Sequence, residues 1–362
     1  MSKTRGNVVD PLEIVAEFGA DALRWYFLAR LSPDVQKRIS VDIVADVASS
    51  FINTFWNTYG FFVLYARLDD VDFGRHVPAA DRPEIDRWAL ALLHQTITTV
   101  TQAMDDYDAK AAGDAIEAFV DQLSNWYVRR NRRRFWKSTD LADKQSAYLT
   151  LYECLKTAHE LMAPFLPFLA EHVYQNLVKT VDPDAADSVH MIPWPAPDRG
   201  WQDEELLYNV AVVQKVVGLG RAARGQSGVR TRQPLARLLV RAPDERARAA
   251  LEANQEQLLE ELNVKAIEFI ARDASHVTYR IKPNMPALGK RGLQLVNFGI
   301  EQIPPQSIVD GSVMNSSAVA DWLTIDVVGE ERVHEGGDLG LGHRLGGRHR
   351  PLRSVRRARL RD

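Results

Sequence analysis

The amino-acid sequence predicts a mainly α protein, in which an antiparallel helical bundle is followed by a small α/β module. Long stretches of the first 200 residues repeat apolar side chains at three- and four-residue spacings, which is typical of amphipathic helices. The connections between these stretches are short, and short connections favour antiparallel neighbours. After about residue 204, alternating apolar positions indicate strands.

The first predicted helices precede a polar loop. Asp10 and Pro11 form the start signal of a helix over residues 10–30, because a short polar side chain can cap a helix and proline is tolerated in its first turn. Gly19 is expected to divide this helix in two. A longer helix is predicted over residues 41–68, and its many aromatic side chains are expected to face the core.

Four further helices complete the predicted bundle. A loop with glycine and proline precedes them, and three prolines around Trp194 mark the end of the bundle. The expected helices cover residues 84–104, residue 109 through an arginine-rich run, residues 142–162 and residues 168–177.

The module after the bundle is predicted to mix helices and strands. Helices are expected over residues 204–223 and 244–262, and strands over residues 266–271 and 277–281. The Gly-Leu-Gly at residues 218–220 is not a dinucleotide-binding loop, because no strand precedes it and no third glycine has the required spacing.

These boundaries divide the chain into four predicted parts. They are a leading segment with connecting helices at residues 1–45, the helical bundle at 46–200, the α/β domain at 201–330 and a basic tail at 331–362.

Composition excludes several classes of protein. No apolar run approaches the ~20 residues that would span a bilayer, and the first residues lack the pattern of a signal peptide. We therefore expect a cytoplasmic protein, and a monomeric one. The single cysteine, Cys154, permits neither an internal disulfide nor a cysteine-rich zinc site, and is expected to be a buried structural thiol.

An arginine-rich run occupies residues 125–137. At about 100° per residue, Phe119 and Tyr127 fall on the apolar face of a helix, and Arg130 and Arg134 fall on that same face. A buried arginine is costly unless it is paired, so the helix is expected either to project beyond the bundle or to present these cations to a partner.

Nucleic acid is the partner that this run favours. Guanidinium groups bind phosphate through paired hydrogen bonds, and aromatic rings can stack on bases. The candidate contacts are Trp126, Arg129, Arg130, Arg132, Arg133, Arg134, Trp136 and Lys137.

Internal ion pairs are the alternative explanation of the run. Asp114, Glu117 and Asp121 lie earlier on the same helix and could pair with some of the arginines. These three carboxylates are too few to neutralise all five arginines. The net charge of −3 weakly opposes nucleic-acid binding by the chain as a whole, but binding depends on where the cations lie.

Residues 1–9 read Met-Ser-Lys-Thr-Arg-Gly-Asn-Val-Val, which resembles the Lys-Met-Ser-Lys-Ser loop of class I aminoacyl-tRNA synthetases without its first lysine. In that family, the loop stabilises the charge that develops on pyrophosphate when an amino acid attacks ATP. The resemblance implies that Lys3 and Ser2 are catalytic and that Lys3, Ser2 and Thr4 contact ATP. The chain is accordingly expected to be part of a longer protein.

Further motifs resemble the isoleucyl-tRNA synthetases in particular. The Asn-Trp-Tyr that opens the run, its arginines and the closing Phe-Trp are similar to the anticodon-binding helix of that family. The similarity covers roughly residues 1–300 in the family's order. The other matching motifs are Phe55-Trp56-Asn57-Thr58-Tyr59, Pro164-Phe165-Leu166-Pro167-Phe168-Leu169-Ala170-Glu171, Ser188-Val189-His190 and Arg232-Gln233-Pro234-Leu235.

The resemblance implies ATP-dependent attachment of isoleucine to its tRNA, with magnesium and an aminoacyl-adenylate intermediate. The bundle would be the anticodon-binding domain. The chain alone is expected to be inactive, because the family places its catalytic and editing domains before the loop. No zinc site is expected in this chain. Three alternatives remain open. They are a stand-alone, non-catalytic tRNA-binding protein, the same region of a valyl-tRNA synthetase, and a purely structural role.

The last part of the chain has a different composition. From about His334 onward it is rich in glycine and arginine and has no apolar period. Such a tail is expected to be disordered and could bind RNA nonspecifically. The abrupt change leads to the hypothesis that the tail is out of frame. A transcript that continues in register past Asp362 would support this hypothesis, and a confirmed stop in the original frame would contradict it.

Overall fold

The computed structural model describes residues 9–31, 39–74, 77–78, 81–270 and 325–328. The chain divides into two compact units, Met1–Leu207 and Tyr208–Asp362. The predicted fold class is confirmed, because a helical bundle is followed by a small α/β module.

Helices form the described part of the first unit. Three π-helical segments, Tyr26–Arg30, Ala48–Ile52 and Leu123–Val128, continue α2, α3 and α6 without a break. The α-helices are α1 (Pro11–Phe18), α2 (Ala20–Trp25), α3 (Val41–Val47), α4 (Asn53–Leu68), α5 (Glu84–Asp105), α6 (Ala109–Gln122), α7 (Arg129–Lys137), α8 (Leu141–Met162) and α9 (Pro167–Leu177).

The start of the bundle follows the capping signals in the sequence. The carboxylate of Asp10 accepts a hydrogen bond from the backbone N–H of Leu12 at 2.8 Å, and Pro11 occupies the first turn of α1. Gly19, with φ of 84°, separates α1 from α2 as predicted. The left-handed region is accessible to glycine at little cost, so this residue permits the break.

Close packing joins the Tyr26–Arg30 segment to α6. A Cβ atom on Gly113 would lie 2.3 Å from the Cβ of Ala29, so the two backbones approach more closely than any side chain at position 113 would allow. Arg30 also donates a hydrogen bond to Glu117 on α6 at 2.7 Å. Glycine at residue 113 therefore sets the distance between these elements.

Aromatic and aliphatic side chains fill the interior of the bundle. The ring of Trp25 stacks on that of Phe51 with 4.2 Å between centroids, and meets Phe165 edge-on at 5.5 Å. Cys154 is fully buried, as predicted, and burial raises the pKa of its thiol well above the ordinary value. Its environment is that of a structural rather than a reactive cysteine.

The second unit contains a three-stranded sheet. The strand β1 (Leu235–Val240) lies between β2 (Val264–Phe269), to which it is parallel, and β3 (Ile325–Val328), to which it is antiparallel. The helices of the module are α10 (Glu204–Gln226), α11 (Glu245–Ala253) and α12 (Gln255–Leu262).

The sequence predicted this module incompletely. The single helix expected over residues 244–262 is two helices, because Asn254 ends α11. The strand expected at 266–271 is confirmed with shifted bounds, and β1 and β3 were not predicted. The strand expected at 277–281 and the tail from residue 331 lie outside the described residues.

Candidate nucleic-acid interface

The arginine-rich run lies on one continuous helix. α6, the π-helical segment Leu123–Val128 and α7 follow each other with helical backbone angles at both junctions. A π-helix closes its hydrogen bonds from residue i to i+5, so the segment holds about one residue more in a turn than an α-helix does. Every residue after it is rotated relative to a uniform helix.

This rotation makes one sequence-based prediction wrong. A uniform helix places Arg130 and Arg134 on the buried face, whereas the structure buries Asn131 and Phe135 there. Arg130 and Arg134 lie beside that face; Arg130 is partly buried, and the side chain of Arg134 is 14% exposed. The error follows from assuming 100° per residue through the segment Leu123–Val128.

Arg134 forms a bidentate ion pair with Asp86 of α5. Its two terminal nitrogens lie 2.6 and 2.8 Å from the two carboxylate oxygens of Asp86, which is fully buried. A second carboxylate, that of Asp143 on α8, lies 2.7 Å from Arg134. The planar fork of arginine suits such pairing, so α5, α7 and α8 are tied together at this point.

Two hydroxyl groups complete the environment of Asp86. Tyr127 donates to one oxygen and Ser146 to the other, each at 2.7 Å. Burial and the charge of Asp86 raise the pKa of Tyr127 well above its ordinary value. Burial alone would lower the pKa of Arg134, but its hydrogen bonds with Asp86 outweigh that effect and raise it. The group is a hydrogen-bonded network in which one guanidinium pairs with two carboxylates, one of them in the interior of the bundle.

Asp86 and Asp143 were not predicted from the sequence. Asp86 shares an apolar spacing with Leu90, Leu93 and Ile97, so a carboxylate on the buried stripe of α5 was the signal for an internal partner. The acids that the sequence analysis did name have other contacts in the structure. Lys110 pairs with Asp114, Arg30 with Glu117, and Asn125 donates to Asp121.

Four residues of α7 form an exposed surface, which we call the basic arc: Arg132, Arg133, Trp136 and Lys137. All four are exposed, and the side chain of Trp136 is 48% accessible. Within the described part of the chain, Arg132 and Arg133 make no hydrogen bond or ion pair. Residues three and four apart share one side of a helix, so Arg132 and Arg133 lie on the same side of α7 as Trp136.

The indole ring of Trp136 has an aromatic support. The ring of Tyr65 on α4 lies 6.0 Å from it, and Phe61 of α4 meets Phe135 edge-on at 5.2 Å. These contacts fix α7 against α4 beneath the basic arc. A flat ring that is half-exposed and supported in this way can stack on a nucleobase.

Trp126, Arg129 and Arg130 form a separate group. Trp126 is 6% exposed, and the guanidinium carbons of Arg129 and Arg130 lie 5.7 and 5.1 Å from the centre of its ring. Arg129 also donates to the carbonyl of Asn125 at 2.8 Å. These cation–π contacts hold both arginines close to the helix, so Trp126 supports cations and has little surface for stacking.

Other predicted site residues are not placed by the structure. Ser2, Lys3 and Thr4 lie in residues 1–8, outside the described residues. Among the described ranges there is no group of three or more histidine, cysteine or acidic side chains that could hold a metal ion. In the same ranges, no helix combines the length and the apolar character needed to cross a membrane.

Known proteins share this region. A family model described as the anticodon-binding domain of tRNA ligase matches residues 86–240, which include Asp86 and the basic arc. Isoleucine–tRNA ligase of Deinococcus radiodurans is 48% identical over 82% of this chain and 27% of its own length. The Thermus thermophilus enzyme of that name is 46% identical over 82% and 28%, and the Thermobifida fusca enzyme 40% identical over 92% and 31%.

The chain therefore spans between about a quarter and a third of the length of these relatives. A solved LeuRS–tRNA–LeuAMS complex from Agrobacterium radiobacter K84 is also similar, at 22% identity and a TM-score of 0.44. It covers 56% of this chain and 23% of the solved chain, and at this level it supports no statement about function.

Proposed function

We propose that the chain binds the anticodon region of isoleucine tRNA. It carries the anticodon-binding domain of tRNA ligases. It is also homologous over 82% of its length to the C-terminal part of isoleucine–tRNA ligases. The observation that carries the proposal is the basic arc, in which Arg132 and Arg133 are exposed and unpaired within the described structure beside Trp136. The valyl alternative is not favoured, because the similar relatives are isoleucine enzymes.

The basic arc can bind RNA in two ways. Arg132, Arg133 and Lys137 supply charge-assisted hydrogen bonds to phosphate oxygens, which position the RNA without reading its sequence. Trp136 supplies a ring for stacking on an unpaired base, as anticodon loops present. Asp86 and Arg134 act indirectly, because their ion pair fixes the orientation of α7. Arg134 is committed to that ion pair, so we assign it no phosphate contact.

Catalysis belongs to the longer protein in this proposal. The activity is ATP-dependent attachment of isoleucine to tRNA, with ATP and magnesium as cofactors. Lys3, Ser2 and Thr4 would meet the charge that develops on pyrophosphate, and their residue types suit that task. Residues 1–8 lie outside the described structure, and this part of the proposal rests on residue type. The 362-residue chain alone is proposed to be inactive in adenylate formation.

We expect the Lys3→Ala change in the full-length enzyme to lower the rate of isoleucine-dependent ATP–pyrophosphate exchange by about 10²-fold or more, as losing a transition-state donor does. The affinity for tRNA should be unchanged, because Lys3 is not part of the basic arc. Arg5→Ala, two residues away, is the matched control for removal of a positive charge. An exchange rate equal to that of the unaltered enzyme would contradict the role of Lys3.

A binding titration tests the proposed function. The purified 362-residue chain is titrated with isoleucine tRNA and valine tRNA at several salt concentrations. We expect tighter binding of isoleucine tRNA, with an affinity that falls as salt rises. Equal and steeply salt-dependent binding of both tRNAs would indicate only generic basic contacts, and no binding would contradict the proposal for this chain.

A further inference from the structure

A buried arginine lies in the second unit, outside the basic arc. Arg224 of α10 is 2% exposed, and within the described structure it has no carboxylate partner. Its guanidinium instead donates to four backbone carbonyls, those of Arg230 at 3.1 Å, Gln233 at 2.9 Å, Leu262 at 2.6 Å and Asn263 at 3.0 Å. Burial lowers the pKa of Arg224, but the four acceptors satisfy most of its donors.

Two of these carbonyls belong to residues 230–234, which we call the tethered loop. The N–H of Gln233 donates to the carbonyl of Arg230 at 3.0 Å, and the side-chain amide of Asn263 donates to the carbonyl of Thr231 at 3.1 Å. Asn263 itself has a left-handed backbone, with φ of 49°. Hydrogen bonds from the side chains of Arg224 and Asn263 thus hold the backbone of the loop in place.

The tethered loop presents two exposed cations. Arg230 and Arg232 are exposed, and the described structure shows no ion pair for either side chain. Arg221 on α10 pairs with Glu261 at 2.5 Å, so this acid already has a cationic partner. The stretch between Glu205 and Asp244 contains seven lysines and arginines and no acidic residue. The loop is therefore an exposed part of a segment that carries only positive charge.

A fixed loop is a better phosphate site than a flexible one. Burying a guanidinium group is costly, and here it immobilises a backbone that carries two further guanidinium groups. Cations on an ordered backbone lose less conformational entropy when they bind a ligand. Arginine pairs bidentately with phosphate, and two arginines separated by one residue could contact neighbouring phosphates.

We propose that the tethered loop is a second RNA-contact surface, at which Arg230 and Arg232 bind backbone phosphates of the tRNA. This inference rests on the proposed function, because it takes the same tRNA as the partner. Arg224 is a positioning residue in it, since its side chain is buried and acts through the carbonyls of Arg230 and Gln233.

The test measures the salt dependence of tRNA binding by the whole chain. Replacing Arg230 and Arg232 together by alanine should weaken binding. It should also make the negative slope of log K against log salt less steep by about 1.5 units, because two phosphate contacts are lost. The control is Arg248→Ala in the same unit, an exposed arginine already paired with Glu252 at 2.9 Å. It should leave the slope unchanged. A slope equal to that of the unaltered chain in the double variant would overturn the inference.

A variant of the buried residue tests the positioning role. Arg224→Lys keeps the charge but has no planar fork for four carbonyls, so the slope should fall even though the net charge is unchanged. Circular dichroism checks that the variant is folded, and the surface double variant decides the matter if it is not. An unchanged slope in folded Arg224→Lys would contradict the positioning role.

The Arg132→Ala/Arg133→Ala variant separates this inference from the proposed function. If that variant lowers the slope and the tethered-loop variant does not, the inference is wrong and the proposed function stands. If only the tethered-loop variant lowers it, the inference stands and the basic arc is not the tRNA site. Failure of the unaltered chain to bind tRNA would overturn both.

Discussion

Replacing Arg134 by methionine should lower the free energy of unfolding of the first unit by about 3–5 kcal/mol. The change leaves the fully buried carboxylate of Asp86 without its bidentate cation. The hydroxyl groups of Tyr127 and Ser146 still donate to it, but they carry no compensating charge. Urea unfolding followed by tryptophan fluorescence measures the effect, because all but one of the eight tryptophans lie in Met1–Leu207.

Two further variants show that the loss comes from an uncompensated charge. Arg132→Met removes an exposed, unpaired arginine from the same helix and should change stability by no more than about 0.5 kcal/mol. Asp86→Asn combined with Arg134→Met should be more stable than Arg134→Met alone, because the buried charge is removed with its partner. A cost below about 1 kcal/mol for Arg134→Met would show that the pair behaves like a surface ion pair.

Replacing Arg132 and Arg133 together by alanine should weaken tRNA binding by about tenfold for each arginine, since each loses a hydrogen bond to a charged group. The negative slope of log K against log salt should become less steep by about 1.5 units. Both side chains are exposed, so the free energy of unfolding should change little. Filter binding or fluorescence anisotropy at several salt concentrations measures both quantities.

The matched control is Lys110→Ala, on the same continuous helix. Lys110 lies 22 residues before Arg132, or about 33 Å along the axis, and pairs with Asp114. Its removal should leave the slope as it is. If the Arg132/Arg133 variant and the Lys110 variant have the same slope, the basic arc does not contact phosphate. Arg132 and Arg133 are then solvated surface residues.

Much of the bundle could be predicted from the sequence, because local signals determine it. Asp10, Pro11 and Gly19 set the limits of α1, and apolar spacing located α5 and α8 within a few residues. The exposure of Arg132 and Arg133 also agrees with the predicted interface, although whether they bind tRNA is a prediction that the binding experiments must test.

Features that depend on distant contacts could not be predicted with the same signals. The partner of Arg134 is Asp86, 48 residues earlier in the chain. Arg224 follows Val217 and Gly220 on the buried stripe of α10, and its acceptors lie in the tethered loop and after α12. Both Asp86 and Arg224 are charged residues at apolar positions of a helix. That pattern indicates an internal polar network, but it does not identify the groups that complete it.

The second source of error was the rotation of residues about the axis of the helix that contains the arginine-rich run. Periodicity assumes a constant rotation per residue, and the π-helical segment Leu123–Val128 violates that assumption within an uninterrupted helix. The sequence around it contains no glycine or proline that would indicate a change. The prediction therefore placed Arg130 on the face where the structure has Asn131.

The π-helical segment also makes the molecule tolerant of one change in length between the core and the basic arc. The segment holds about one residue more than a regular α-helix of the same rotation, so loss of a single codon within Leu123–Val128 could restore a regular α-helix and leave α7 in its present orientation. Phe135 would stay in the core, and Arg132 and Arg133 would stay exposed. A one-residue deletion within α7 itself has no extra residue to absorb it and would turn the residues after it by about 100°. Deletions in the π-helical segment should therefore be better tolerated than deletions in α7.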